Sequence, residues 1–368
     1  MDIDGMKFDL ITQRFLVHRW ETRKGRELRA QIAEAIKTGR DLGTLLGAHV
    51  LKHAENLEPH RFPHYPEDAM RESDFWLLTP EDLRGIRFDE ENFSNTNGFG
   101  GMSLNYAQFT NCRFDKADLH RSDLSYASFE NCSLNRVMMA HSGGVGVRIV
   151  SSDLGSSCLF DCVFLESSFC GTDCRGIYLE DALFQDLKVD YLTRFDRRLE
   201  RSWKDRQLPL EQVPDLYRAI RIAYQKADLS YIADVFLFSE RRAHRRYVIW
   251  PMAKRNGDYL LWLKDFIWSM VGGYGTQPSR LILLGLVTSV IYAQIYFFLG
   301  GPAESGAATS GYLGALYFSL TTFATLGYGD LAYSIEHPYL RLLSTSEAWL
   351  GAIVIALFVA TMARKMLR

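Results

Sequence analysis

A mixed membrane protein is what this sequence predicts: a square, four-sided β-coil, then a helical linker, then an α-helical unit with two membrane spans. Three observations carry that reading. Between Phe88 and Val189 an apolar residue returns at every fifth position, a period that belongs to neither a helix nor a strand. Near the C-terminus, two apolar stretches are long enough to cross the hydrocarbon core of a bilayer. Between those stretches a shorter apolar run is followed by Gly327 and Gly329, glycines at alternate positions.

The bulk composition conceals this division. A chain of 368 residues suggests two or three domains, and a formal net charge of −2 gives no ground for a nucleic-acid partner. The first ten residues carry Asp2, Asp4 and Asp9 and no apolar run, so no secretory signal is expected there. The boundaries read as an N-terminal helical or capping region over 1–82, the coil over 83–190 and a helical linker over 191–256. An interfacial helix with an elbow follows over 257–280, and the two-span unit covers 281–368.

The five-residue series runs Leu104, Phe109, Phe114, Leu119, Leu124, Phe129, Leu134 and Met139, and resumes after Gly144 with Ile149, Leu154, Leu159, Phe164, Phe169, Cys174, Leu179 and Phe184. Phe88 and Phe93 begin it, with a one-residue slip at Gly98–Gly101. Two positions earlier the residue is often small, as at Ala107, Cys112, Ala117, Ser122, Ala127, Cys132 and Cys162. A square coil with five residues per side satisfies this spacing, because each central side chain then points to the axis. The pattern resembles the pentapeptide-repeat family, which implies a right-handed quadrilateral β-helix. Four repeats make one coil, giving about five coils stacked at roughly 4.8 Å each. Gly143-Gly144-Val145-Gly146 reads as an irregular turn within it.

All six cysteines, Cys112, Cys132, Cys158, Cys162, Cys170 and Cys174, fall in the coil. At small inward positions a thiol serves as an apolar filler, and a cytoplasmic setting argues against disulfides. Their spacing suits repeat faces and no local His accompanies them, so zinc is not expected. Solenoid ends need covering: residues 21–57 read as a helical cap, and 210–247 as helices leading to the membrane. The run Arg241-Arg242-Ala243-His244-Arg245-Arg246 reads as a solvated face paired with Glu240, Asp228 and Asp234, with anionic headgroups as the other reading. Residues 258–271 read as an amphipathic interfacial helix, and a soluble helix packed on the linker is the competitor.

Residues 281–300 form the first span and carry no charge; residues 342–367 form the second, broken by Glu347, Arg364 and Lys365. Residues 312–324 are apolar but too short to span, which suits a re-entrant half-helix. Basic residues cluster before the first span and after the second, and the segment between carries only Arg341, so both termini are expected on the cytoplasmic side. A buried soluble hairpin is the bland alternative, opposed by span length and charge asymmetry. Glu347 is costly in lipid and is expected to face either the backing of the re-entrant segment or the outer interface. A second triplet, Gly273-Tyr274-Gly275, lies before the first span and reads as an elbow only.

Thr325-Leu326-Gly327-Tyr328-Gly329-Asp330 resembles the selectivity filter of potassium channels, and residues 281–368 resemble the two-transmembrane members of that family. Tyr317-Phe318-Ser319-Leu320-Thr321-Thr322 is similar to the family's pore helix, and Glu347-Ala348-x-x-Gly351 to the start of its inner helix. The resemblance implies a ring of carbonyls replacing the hydration shell of K+, with Asp330 at the outer mouth and Gly351 as a bending point. It implies a homotetramer in a bilayer, no cofactor, and no metal besides K+ as permeant ion at the filter. At spacings of four, Gly351, Ile355 and Val359 fall along one face and are expected to line the cavity, with Met362 as a constriction. Ala324, Leu326 and Tyr333 depart from the commonest residues of the family pattern, while leaving the carbonyl ring intact.

The sequence therefore points to a potassium-selective channel of a prokaryotic inner membrane, with a cytoplasmic repeat domain for assembly or regulation by a protein or small molecule. No catalysis is expected, because no nucleophile, base or metal cluster converges at a recognisable spacing. A weakly selective cation channel and a membrane-anchored binding module are the alternatives.

Overall fold

The computed structural model describes residues 16–50, 77, 79–199, 210–257, 259–299, 303–304, 311–329, 331–332 and 338–366. It divides into two units, Met1–Glu240 and Arg241–Arg368.

In the first unit the five-residue period becomes one side of a square coil. Strands β1 (Arg87–Asp89), β2 (Gln108–Thr110), β3 (Ser128–Glu130) and β5 (Arg148–Val150) stack in parallel on one face, aligning Phe88, Phe109, Phe129 and Ile149. β4 (Gly143–Val145), β6 (Val163–Leu165) and β8 (Leu183–Gln185) form a second face, and β7 (Asp173–Cys174) pairs β9 (Arg194–Phe195) on a third. Single bridges Asp118↔Met138, Met138↔Cys158 and Cys158↔Tyr178 define the fourth. Partners in the coil step by 20 residues, as in Phe109↔Phe129, except for steps of 21 across the glycine run, as at Phe88↔Phe109 and Asn92↔Arg113, and again at Cys174↔Phe195. The first extra residue falls at the glycine run where the sequence register slips. The second falls at Asp190–Thr193, where the Asp190 carboxylate accepts from the Leu192 and Thr193 amides.

Corners are made by residues held at positive φ every fifth position: Tyr106, Asn111, Lys116, Arg121, Tyr126, Asn131 and Arg136 lie between 54° and 60°. The central apolar side chains fill the axis, and Phe109 and Phe129 stack at 4.9 Å. The small inward residues do more than fill space. Ser142 Oγ donates to the Leu119 carbonyl at 2.6 Å and accepts from the Ser122 amide at 3.1 Å, and Ser157 repeats this with Leu134 and Val137. Thiols take the same place, Cys162 Sγ donating to the Met139 carbonyl at 2.7 Å. Burial pushes the Cys162 thiol up to about 12 and the Cys174 thiol well above its ordinary value, so both stay protonated. All six cysteines are free thiols.

Two readings are corrected. Gly143-Gly144-Val145 is strand β4, in register with Val163-Phe164-Leu165, not an irregular turn. Glycine is needed there for close approach: a Cβ on Gly144 would come within 2.5 Å of the Ser125 amide nitrogen. Glu240 does not pair with the arginine run after it. It is buried and accepts from Arg218 Nε at 3.1 Å and Arg221 Nε at 2.7 Å.

Helices close both ends of the coil. At the start, α1 (Arg23–Thr38) is capped by the Thr22 side chain and ended by Gly39 in the left-handed region, and α2 (Leu42–Gly47) follows. Leu28, Ile32 and Ile36 of α1 are buried. Arg19 forms a buried two-pronged ion pair with Asp82 at 2.8 and 3.0 Å, and Trp20 Nε1 donates to the Arg84 carbonyl. Residues 51–57 of the expected cap lie outside the described residues. At the far end lie α3 (Val213–Lys226) and α4 (Ser230–His244). Tyr224 of α3 donates to the Thr193 carbonyl at 2.7 Å.

In the second unit, α5 (Trp250–Asn256) and α6 (Tyr259–Gly272) precede a tight elbow at Gly273–Gly275. Then come α7 (Pro278–Phe298), the short α8 (Tyr312–Phe323) and α9 (Pro338–Met366). α7 and α9 are long and apolar enough to cross a bilayer. Strands β10 (Ala303–Glu304) and β11 (Leu331–Ala332) pair antiparallel, tying the segment before α8 to the segment after it.

Candidate functional site

The site grows out of how α8 is held. Phe323, at its C-terminal end, packs with Leu281 of α7 and Val354 of α9; Phe318 and Ala315 pack with Tyr296 of α7. The chain beyond α8 folds back onto the helix end. The Thr321 carbonyl accepts from the Leu326 amide at 2.9 Å and the Gly327 amide at 3.4 Å, and the Thr322 carbonyl accepts from the Thr325 amide at 3.0 Å. Carbonyls that would end the helix unpaired are thereby satisfied.

From there φ alternates in sign. Thr325, Gly327 and Gly329 stand at +56°, +48° and +78°, whereas Leu326 and Tyr328 between them are not in the positive region. A β-branched residue at positive φ is a strained exception, and such strain collects at functional sites. Added Cβ atoms at Gly327 or Gly329 would meet nothing within 4 Å, so backbone conformation, not space, requires glycine there. Leu326 and Tyr328 are 57% and 68% exposed, so the rest of the chain covers the segment incompletely. Asp330 lies outside the described residues.

α9 packs through a seam of Glu347, Gly351, Val354 and Thr361. Gly351 is buried here, and a Cβ on it would overlap the Phe323 carbonyl oxygen. It therefore does not share the exposed flank with Ile355 and Val359, which are 40% and 58% exposed; Met362 is half-buried. Each step of four residues overshoots a 3.6-residue turn by about 40°, which carries Ile355 and Val359 off the seam. The helix is also continuous through Gly351. Glu347, fully buried, receives the Tyr296 hydroxyl at 2.7 Å and is hydrogen-bonded to Ser319. Of the two settings the sequence leaves open for Glu347, the one found is the backing of the short helix; its partners Tyr296 and Ser319 look like ordinary span and pore-helix residues in the sequence.

The elbow triplet is built differently. Gly273, Tyr274 and Gly275 all have positive φ, at 55°, 59° and 76°. Tyr274 Oη donates to Asp265 Oδ2 at 2.7 Å and accepts from Arg245 Nη1 at 3.1 Å. Burial, together with the Asp265 carboxylate, raises the Tyr274 hydroxyl well above its ordinary range, which keeps it a donor. The Tyr274 carbonyl accepts from Arg364 Nη1 at 3.4 Å, near the end of α9.

An alternating-φ strand thus stands at the end of a short helix, between two helices long and apolar enough to cross a bilayer. Residues 284–368 match the family described as ion channel, and residues 103–137 match pentapeptide repeats in 8 copies. Two pore potassium channel b of Oryza sativa subsp. japonica is 36% identical over 87 residues, covering 23% of this chain and 24% of that protein. Two pore potassium channel a of the same plant is 35% identical over 88 residues, covering 24% and 25%. The chain thus spans about a quarter of the length of these curated relatives. Among solved structures, a pentapeptide repeat protein from the cyanobacterium Cyanothece 51142 is 20% identical at a TM-score of 0.26, covering 31% of this chain and 88% of that one. The coil itself is established by the ladder of paired faces described above.

Proposed function

We propose that the protein is a homotetrameric potassium-selective channel of a prokaryotic inner membrane, with both termini cytoplasmic and the repeat coil serving assembly or regulation. Conduction is passive and the chain catalyses no reaction. Thr325, Leu326, Gly327, Tyr328, Gly329 and Asp330 form the filter, and K+ is the permeant ion. Ile355, Val359 and Met362 face the inner pathway, and Gly351 gives α9 room to seat against α8.

The observation that carries this reading is the alternation of φ from Thr325 to Gly329. Backbone of alternating handedness turns its amides to one edge and its carbonyls to the other. A row of carbonyls on one edge is what four copies need to replace the hydration shell of a dehydrated cation. The exposure of Leu326 and Tyr328 in one protomer fits a strand that closes only against copies of itself. The preference for potassium draws on the rice proteins, whose names describe potassium channels.

The test is ion flux into liposomes containing the purified full chain, beside Gly327→Ala, with sodium as competitor. Potassium-selective flux in the wild type, reduced at least about 100-fold in the variant, is expected from the loss of a strained, preorganised carbonyl. Flux that ignores the choice of cation would replace the reading with a weakly selective channel. Assembled tetramers that conduct nothing under any condition would favour a membrane-anchored binding module.

A further inference from the structure

Glu347 is a fully buried carboxyl in the middle of three packed membrane helices. Ionisable groups in such places are held by partners or mark function. Its partners come from both neighbouring helices. Oε2 accepts from the Tyr296 hydroxyl of α7 at 2.7 Å, and Oε1 is hydrogen-bonded to Ser319 Oγ of α8. Ser319 Oγ also lies 2.8 Å from the Ser289 carbonyl of α7.

Counting protons decides the arrangement. A serine hydroxyl carries one proton, and a peptide carbonyl can only accept. For both contacts to be hydrogen bonds at once, Ser319 must donate to the Ser289 carbonyl and the Glu347 carboxyl must supply the proton of the other. A neutral carboxylic acid fits every contact: O–H to Ser319 Oγ, C=O from Tyr296. It also leaves no unpaired charge among the helices.

One turn further along the same seam, Gly351 abuts the Phe323 carbonyl. The last two turns of α8 are thus tethered at Ser319 and stopped at Phe323. The Thr321 carbonyl between them holds the Leu326 and Gly327 amides. We propose that Glu347, as a neutral carboxyl, is a positioning residue for the filter, fixing α8 through Ser319 and so the spacing of the carbonyls that discriminate K+ from Na+. The proposal deepens the channel reading and rests on it.

The experiment compares the full-length wild type with Glu347→Gln, Glu347→Ala and Ser319→Ala in liposomes, reading the potassium-to-sodium flux ratio on protein shown to be assembled. Glutamine can donate to Ser319 and accept from Tyr296, so it keeps the wild-type ratio within about twofold. Alanine at either position lowers the ratio by about tenfold while potassium still passes, the scale of one buried hydrogen bond to a positioned group. An unchanged ratio in Glu347→Ala overturns the proposal, as does a Glu347→Gln variant as impaired as the alanine. An infrared carbonyl band of a protonated carboxyl, present in the wild type and missing from Glu347→Gln, reads the neutral state whether or not the protein conducts; its absence from the wild type overturns the proposal. Assembled wild type without any flux overturns the channel reading, and the positioning role with it.

Discussion

The chain contains the triplet Gly-Tyr-Gly twice, and the two copies end in opposite states. At 273–275 the tyrosine hydroxyl is engaged by Asp265 and Arg245, and the backbone carbonyl by Arg364. At 327–329 the tyrosine is 68% exposed and the glycines have open space around them. Both use left-handed backbone, but in different sequence: three consecutive residues at the elbow, every second residue from Thr325 to Gly329. Consecutive left-handed residues reverse a chain, whereas alternating ones keep it extended with its carbonyls on one edge. The triplet is thus only a permission. The flanks decide its use: Pro278 and a spanning helix after the first, a short helix and Thr325 before the second. The elbow is complete within the chain, whereas the second triplet, on the proposed reading, closes only against copies of itself.

The sharpest way to break this comparison is to add a methyl group at each site. Gly329→Ala is expected to abolish potassium flux while leaving the melting temperature and assembly of the protein near wild type, because the new Cβ meets nothing in the protomer. Gly275→Ala should do the reverse. Its Cβ would stand 3.3 Å from Arg364 Nη1 at a φ of 76°, costing about 1–2 kcal/mol of stability with flux retained. Thermal melts and flux assays on both variants check the pair. Equal loss of flux in the two would erase the distinction.

Self-contained polar packing is seen at the start of the repeat coil, at Asp82, which holds both Arg19 and Arg84. Burial alone would raise its carboxyl, but the Arg19 charge and the hydrogen bonds from Arg84 and Arg19 hold it well below the ordinary carboxylate range. Asp82→Asn leaves the buried Arg19 guanidinium without its countercharge and is expected to cost about 3–5 kcal/mol. The sign in pH follows from the depressed value. Stabilisation by Asp82 is fully present above the unfolded value near 3.9 and shrinks by about 1.4 kcal/mol per unit as pH falls below it toward the folded value. Denaturant melts of wild type and Asp82→Asn should therefore converge in acid; a gap that widens below pH ~4 would contradict the assignment.

What the sequence made legible follows from periods. A side of five residues repeats so often that Phe88, Phe109 and Phe129 could be placed on one axis without coordinates, and even the slip at Gly98–Gly101 shows as a step of 21. Long apolar spans are equally plain. Contacts between distant residues were not legible. Nothing local marks Arg19 as the partner of Asp82, or Tyr296 and Ser319 as partners of Glu347. The face of α9 was misjudged at Gly351 because a four-residue count drifts around the helix while the packed seam alternates threes and fours. One signal was available and unread. Ser, Thr and Cys recur at the small inward position, and a polar atom repeated there implies a hydrogen-bond ladder, which Ser142 and Ser157 make.

The smallest expected effect tests whether the elbow is as self-contained as its bonds suggest. Tyr274→Phe removes one hydroxyl that donates to Asp265 and receives Arg245. Asp265 and Arg245 remain within 3.7 Å of each other, so the ion pair can take up part of what is lost. The net cost should be about 1 kcal/mol, the ordinary worth of one intramolecular hydrogen bond. The Tyr274 carbonyl is untouched by the change, so the bond from Arg364 persists and flux should stay near wild type. Thermal melts read the first expectation and liposome flux the second. A large change in flux with little change in stability would mean that the elbow, too, acts on the ion path, and that the two Gly-Tyr-Gly triplets are coupled through α9 instead of merely sharing three letters.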